Sequence, residues 1–484
     1  MPHPERSDAP RVLVAGLTSS AGKTTVASGL LGALRRRGLQ TRAFKCGPDF
    51  LDPQVLSVAA GAPARNLDTW LVPEPTMRED FLRTCARGPG GVSIVEGAMG
   101  LMDGEEWGTS SLDVAKALDL PILLVLDASA ASETLAVHAR GARHLLGSRL
   151  KGVLVDRAGR GWHSSAVRRA IEEKAGVSVL GVLPWEPEAT LPERHLGLVT
   201  PRTDPGGRLS RRVRRAAALV EEHVDLPSVL AIARGARPLP SPGEPLRWSG
   251  TLARSHPQVA VASDSAFCFV YPENLESLRA AGARLVEFSP VAGEGLPPGT
   301  DAIYLPGGFP ELHAADLSRN DSLGREVRRW VRDGGPVYAE CGGMMYLLDR
   351  LYDMQGRRHA MAGAFPGSAR LSPRLGGFGY VEARLRQDVL LGKRRSRVHG
   401  HLYHHSVRVA PKGQAWALEV RRIAGGDPVG DGYFQGRAFA SYLHVRFDQV
   451  PGFLARFLGN EAAPDGSGEG STRLTGRRAE QKRR

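Results

Sequence analysis

Short apolar runs alternate with longer amphipathic stretches over two lengths of the chain. In the first, Val12-Leu13-Val14 ends at Gly16, and a helical pattern follows from Thr24 to Arg37. Further strands are predicted at Thr41–Phe44, Ser93–Val95, Ile122–Leu126 and Gly152–Val155. The second length begins at Val259, with strands at Val259–Ala262, Arg284–Phe288, Ala302–Leu305 and Pro336–Ala339. Strands that alternate with helices imply mostly parallel, doubly wound sheets. The expected class is therefore α/β with two doubly wound domains, since 484 residues exceed one hydrophobic core. Residues 1–10 read as an extension, 11–200 as the first domain and 256–460 as the second. Between them, 201–255 is rich in Pro, Gly and Arg and reads as a linker with one helical element near Arg211–His223. The polar, Gly/Ser-rich stretch 461–484 reads as a disordered basic tail.

Composition narrows the class. The apolar fraction of 42% is that of a globular protein, and no apolar run is long enough to span a bilayer. Met1 to Arg11 lacks the pattern of a secretion signal, so a cytoplasmic enzyme is expected. The four cysteines, Cys46, Cys85, Cys268 and Cys341, form no Cys-x-x-Cys pair, which speaks against zinc or a disulfide framework. The net charge of +13 is spread as scattered arginine and a basic tail, with no basic stripe interleaved with aromatics. Neither a nucleic-acid nor a membrane partner is expected; a homodimer is compatible with the chain.

The first chemical motif is Gly16-Leu-Thr-Ser-Ser20-Ala-Gly22-Lys23-Thr24-Thr25, between a predicted strand and a predicted helix. A phosphate-binding loop requires that context: backbone N–H groups at a helix N-terminus face the phosphates. Lys23 is placed to neutralise the outer phosphates and Thr24 to ligate Mg²⁺. Two acidic segments follow predicted strands, Lys45-Cys-Gly-Pro-Asp49-Phe-Leu-Asp52-Pro53 and Glu96-Gly97-Ala-Met-Gly100-Leu-Met-Asp103. Loops at strand C-termini converge on the ligand crevice of an open sheet. Asp49 and Glu96 are thus candidate Mg²⁺ ligands, and Lys45, Asp52 and Asp103 candidate substrate contacts.

Here the chain resembles the cobyrinic acid a,c-diamide synthases, whose N-terminal half is similar to dethiobiotin synthetase. Gly47-Pro48-Asp49-Phe50-Leu51-Asp52-Pro53 carries the resemblance, with Asn66-Leu-Asp68-Thr-Trp70 and Arg194-His195-Leu196-Gly197-Leu198. The sister family, cobyric acid synthase, has a Gln-Asn-containing segment at the first of these. The resemblance runs from Arg11 to about Phe457. It implies ATP as co-substrate and places Asp156, where relatives carry Asn, near the adenine.

The second site centres on Val337-Tyr338-Ala339-Glu340-Cys341-Gly342-Gly343, a strand running into a nucleophile and two glycines. A nucleophile on a strained strand-to-helix turn needs small neighbours. Upstream, Gly307-Gly308 offers backbone donors for an oxyanion, with Gly342 a third candidate. Downstream, His444 offers a base. The three segments resemble a class I glutamine amidotransferase. Its usual Glu two residues beyond the His is Arg446 here, a departure shared with the cobyrinic acid synthase group, so the resemblance implies a Cys341–His444 dyad.

A carboxylate does not react with ammonia in water, whereas an acyl phosphate does. Releasing ammonia from glutamine beside the acyl phosphate delivers the neutral nucleophile and excludes water. The resemblance supplies the third substrate, a corrin amidated at acetates a and c, with cobyrinic and hydrogenobyrinic acid both open. Ser20, Leu56, Asp156 and Leu402 depart from the usual Gly, His, Asn and Glu. They leave open a paralogue acting on a sirohydrochlorin-type tetrapyrrole. A phosphate-loop ATPase switch with a non-catalytic amidotransferase-like module is the rival from another class.

Overall fold

The computed structural model describes residues 9–191, 206–240 and 256–459. Seven strands build the first sheet: β1 (Arg11–Gly16), β2 (Gln40–Cys46), β3 (Arg65–Leu67), β4 (Gly91–Glu96), β5 (Ile122–Asp127), β6 (Leu150–Ala158) and β7 (Val179–Pro184). Their order is β3-β2-β4-β1-β5-β6-β7, and every pair is parallel. As a central parallel strand must be, β1 is buried on both faces. Val12 and Val14 join the layer holding Val26, Leu30 and Leu34 of helix α1 (Lys23–Arg36). Leu13 and Ala15 join the opposite layer with Phe44 and Phe81.

Within the expected linker, 206–240 is instead part of this domain. The helix Arg208–His223 packs along α1, burying Leu209, Val213, Ala216, Ala217 and Val220. Gly32 of α1 faces Ala217 so closely that a Cβ there would lie 2.7 Å from the alanine methyl. A second helix, Leu226–Arg234, is capped by Asp225, whose side chain accepts from the Ser228 N–H. The arginines of 208–215 cover the outer face and mask an apolar stripe of helical period, which is why composition suggested a linker. The motif Arg194–Leu198 and the tail 461–484 lie outside the described residues.

The second domain opens with β8 (Gln258–Ala262), β9 (Arg284–Phe288), β10 (Ala302–Leu305) and β11 (Val337–Glu340). Eight shorter-range strands follow: β12 (Leu348–Tyr352), β13 (Arg358–Ala360), β14 (Phe365–Leu371), β15 (Gly377–Leu385), β16 (Arg397–His404), β17 (Ser406–Val409), β18 (Leu418–Arg422) and β19 (Val429–Asp431). The last are β20 (Tyr433–Gln435) and β21 (Ala438–Ser441). The core sheet runs β20-β21-β11-β10-β8-β9, parallel except for β20. Two further four-stranded sheets, β13-β12-β14-β17 and β16-β15-β18-β19, extend it. The alternation pattern did not separate these mainly antiparallel additions from the wound core.

The two domains share buried surface. Phe269 and Tyr271 of the second belong to the apolar core of the first, and Phe50 packs on both, at 5.2 and 4.5 Å between ring centroids. The motif Asn66–Trp70 is an interdomain clasp: Asp68 accepts from the Tyr380 hydroxyl at 2.7 Å, and Trp70 stacks on His399 at 4.2 Å. Among the described residues no helix is long and apolar enough to cross a membrane.

Candidate active site

The phosphate loop joins β1 to α1, and its last glycine, Gly22, caps the helix with φ +88°. Any Cβ at Gly22 would overlap the Asp156 carboxylate, so that position is held to glycine twice over. Ser20 is also left-handed, φ +60°, which accounts for glycine being usual there. Lys23 Nζ donates to the carbonyls of Thr18 and Met99, at 2.8 and 2.6 Å. Thr24 Oγ1 donates to Glu96 Oε1 at 2.6 Å, and Lys45 Nζ donates to the same oxygen at 2.8 Å and pairs with Asp52 at 2.7 Å. Glu96 Oε2 is buried and has no hydrogen-bond partner among the described residues. Burial pushes the Glu96 carboxyl up, and the Lys45 ammonium pulls it back. A cavity of about 310 Å³ is lined by Ser20, Gly22, Lys23, Thr24, Thr25 and Asp156, together with Lys45, Asp52 and Glu96. A carboxylate oxygen left open beside a threonine hydroxyl fits a divalent cation that shares its shell with phosphates.

The structure redistributes the acidic residues of the two motifs. Lys45 and Asp52, expected at the substrate, lie in the nucleotide cavity instead, because the Lys45 side chain turns inward to Glu96. Asp49, expected at the metal, caps the helix α2 (Asp52–Ala60) by accepting from the N–H groups of Leu51 and Asp52. Asp49 lines a second cavity of about 340 Å³ between the domains, and Asp103 lines it too. Its other walls are Phe50, Phe269, Tyr380, His401 and Tyr403.

In the second domain, Cys341 has φ +45° and ψ −101°, a strained turn between β11 and the helix Gly342–Leu347. The turn is held by the Cys341 N–H, which donates to the Ser441 carbonyl at 2.7 Å. Burial pushes the thiol well above its ordinary value, nearby Glu311 adds to this, and the Gly342 N–H opposes it. The thiol therefore needs a base. His444 follows β21, and its backbone pairs with His401 through two hydrogen bonds of 3.0 Å. A Cβ on Gly307 would strike His444 Cε1 and lie 3.4 Å from Cys341 Cβ, so this glycine lies between the imidazole and the cysteine, whose thiol donates to the Tyr403 carbonyl at 3.6 Å. A Cβ on Gly342 would be 2.9 Å from the Gly308 nitrogen, which brings the expected oxyanion donors against the nucleophile.

One neighbour of the base escaped the sequence reading. Glu340 Oε2 lies 3.1 Å from His444 Nδ1, and both side chains are buried. Its only sequence signal is a carboxylate at the inner end of an apolar strand. Arg446, in place of the usual glutamate, turns away to Asp80 of the first domain at 2.7 Å.

A phosphate-loop domain docked on a domain with a nucleophilic cysteine elbow, a buried histidine and a glycine-lined oxyanion site defines a two-domain, glutamine-dependent amide-forming ligase. Comparison with known proteins agrees. Residues 12–199 match the CobQ/CobB/MinD/ParA nucleotide binding domain, and 258–451 match the CobB/CobQ-like glutamine amidotransferase domain. The chain is 37% identical over 458 residues to a cobyrinate a,c-diamide synthase of Dehalococcoides mccartyi, covering 93% of this chain and 97% of that one. It is 40% identical over 461 residues to a hydrogenobyrinate a,c-diamide synthase of Mycobacterium tuberculosis, covering 93% and 98%. The chain belongs to the cobyrinate and hydrogenobyrinate a,c-diamide synthase family.

Proposed function

We propose that this ligase converts the a and c acetates of cobyrinic or hydrogenobyrinic acid into primary amides in cobalamin biosynthesis, with ATP as co-substrate and Mg²⁺ as its cation. In the nucleotide cavity, a corrin carboxylate oxygen attacks the γ-phosphorus of ATP. ADP leaves and an acyl phosphate remains. Lys23 and the loop N–H groups hold the phosphates; Thr24 and Glu96 are the residues that would hold the cation, which when bound neutralises charge on the phosphates. In the second domain, His444 takes the thiol proton and the Cys341 sulfur attacks the glutamine side-chain carbon. Ammonia leaves, and water hydrolyses the thioester to glutamate. Ammonia then attacks the acyl carbon, and phosphate departs.

This reading rests on a shared wall: Leu51 and Met99 line both the nucleotide cavity and the interdomain cavity. A corrin carboxylate at that wall would meet the γ-phosphate on one side and ammonia on the other. The test is product formation on cobyrinic acid, hydrogenobyrinic acid and a sirohydrochlorin with glutamine or ammonium salt. Cys341→Ala is expected to lose glutamine-dependent amidation and to keep ammonia-dependent amidation at raised pH. Loss of both in a folded variant would overturn the division of labour. Turnover of the sirohydrochlorin alone would overturn the substrate.

A further inference from the structure

We infer that Glu340 is the positioning residue of His444, so that the glutaminase works as a Cys341–His444–Glu340 triad whose carboxylate comes from the nucleophile's own strand. The inference rests on the reading of Cys341 and His444 as nucleophile and base. Glu340 ends β11, and the sharp turn at Cys341 sends the two adjacent side chains to different places. One carboxylate oxygen faces His444 Nδ1 at 3.1 Å, and the other accepts from the Tyr338 hydroxyl at 3.0 Å. Burial first, and then the Glu340 charge, push the Tyr338 phenol well above its ordinary value, so it remains a donor to that carboxylate.

This arrangement decides the tautomer. A carboxylate only accepts, so Nδ1 carries the proton and Nε2 carries the lone pair. Nε2 is buried and has no hydrogen-bond partner among the described residues. It is therefore the nitrogen available to the thiol across Gly307. The same carboxylate stabilises the imidazolium that forms when the thiol proton arrives, a large effect where both groups are fully buried. The chain position that would ordinarily supply this glutamate cannot do so. Arg446 there is committed to Asp80 and Asp448, at 2.7 Å each. A carboxylate one residue before the cysteine reaches Nδ1 instead because β11 and β21 are adjacent parallel strands, which puts Glu340 opposite Ser441, three residues short of the histidine.

The test compares the full-length wild type, Glu340→Gln, Glu340→Asp and His444→Ala. Glutamine hydrolysis is followed from pH 6 to 9, with ammonia-dependent amidation as the control for folding. Glu340→Gln is expected to lower kcat for glutamine hydrolysis about 100-fold or more, to change KM little and to keep ammonia-dependent amidation. Glu340→Asp should recover part of the rate. Normal hydrolysis by Glu340→Gln beside an inactive His444→Ala would overturn the positioning role alone. Normal hydrolysis by His444→Ala would overturn the underlying assignment of the base. A slow Glu340→Gln whose loss falls on KM rather than kcat, or whose rate Glu340→Asp does not recover in part, would reduce Glu340 to a packing role and overturn the inference.

Discussion

The phenyl ring of Phe50 packs against the imidazole of His444, 4.8 Å between centroids and tilted by 52°. Phe50 belongs to the Gly-Pro-Asp motif of the ATP-binding domain, and His444 is the proposed base of the glutaminase domain. Phe269 stacks on the same phenyl ring at 5.2 Å, and on the proposed reading these rings seal the site where ammonia is released. Replacing Phe50 by Leu keeps an apolar group but opens the seal. Glutamine hydrolysis should persist while the amide formed per glutamate falls below one, as water replaces the excluded path. A glutamate-to-amide ratio still at unity in Phe50→Leu would mean that the ring takes no part in containing ammonia.

On the proposed reading, Lys23 acts on the phosphates and has no part in glutamine hydrolysis. Lys23→Ala should lower amide formation from either nitrogen source by about 100-fold or more, while glutamine hydrolysis continues at least in part. Glu96→Gln should behave alike, and added Mg²⁺ should restore part of its rate. Normal synthesis by Lys23→Ala, measured with ammonium salt, would remove the ATP site from this loop.

Asp156 gives a pH dependence. Burial pushes its carboxyl from 3.8 up to about 6. Its contribution to stability is therefore fully present below its unfolded value near 3.8 and is lost as pH rises through about 6. Asp156→Asn removes that loss and should raise stability above pH 6 by roughly 1–3 kcal/mol. The melting-temperature gap between variant and wild type should widen from pH 4 to pH 7; a gap independent of pH would show that folding does not shift the Asp156 carboxyl. The same pair tests base recognition, because an ionised carboxylate accepts from guanine where an Asn would read adenine. Strict ATP selectivity, unchanged in Asp156→Asn, would place the residue away from the base.

Arg446 joins the domains. It is 4% exposed, bonds Asp80 and Asp448, and lies near the buried Glu273. Arg446→Met would leave Asp80 to Arg83 and the buried Glu273 to Arg65, and should cost about 3–5 kcal/mol. Arg446→Glu should be worse, since it adds a like charge. If thermal unfolding showed Arg446→Glu as stable as wild type, the position would not be facing Asp80.

Much of this was legible in the chain. Both wound sheets, the phosphate loop, the cysteine elbow and His444 follow from local rules: a strand, a glycine-bearing turn and a helix can be read within ten residues. The helix Arg208–His223 was visible as a helix but not as part of a domain, because burial of Val213 and Val220 depends on α1, which lies far away in sequence. Asp49 and Asp52 share one motif yet line different cavities, which spacing alone did not foresee. Which way each turns depends on Lys45 being drawn to Glu96, an encounter between neighbouring strands.

What the sequence determined by itself is the chemistry available: a nucleophile, a base, a lysine in a phosphate loop, and glycines where side chains cannot fit. Those requirements are local, set by backbone conformation and functional groups. Tertiary structure alone decided how they are coupled. It put Phe50 on His444, Glu340 behind the same imidazole, and Leu51 in the wall of two cavities. Each of these contacts joins residues that no periodicity links, because they are brought together by sheet order and by the burial of apolar surface between two domains.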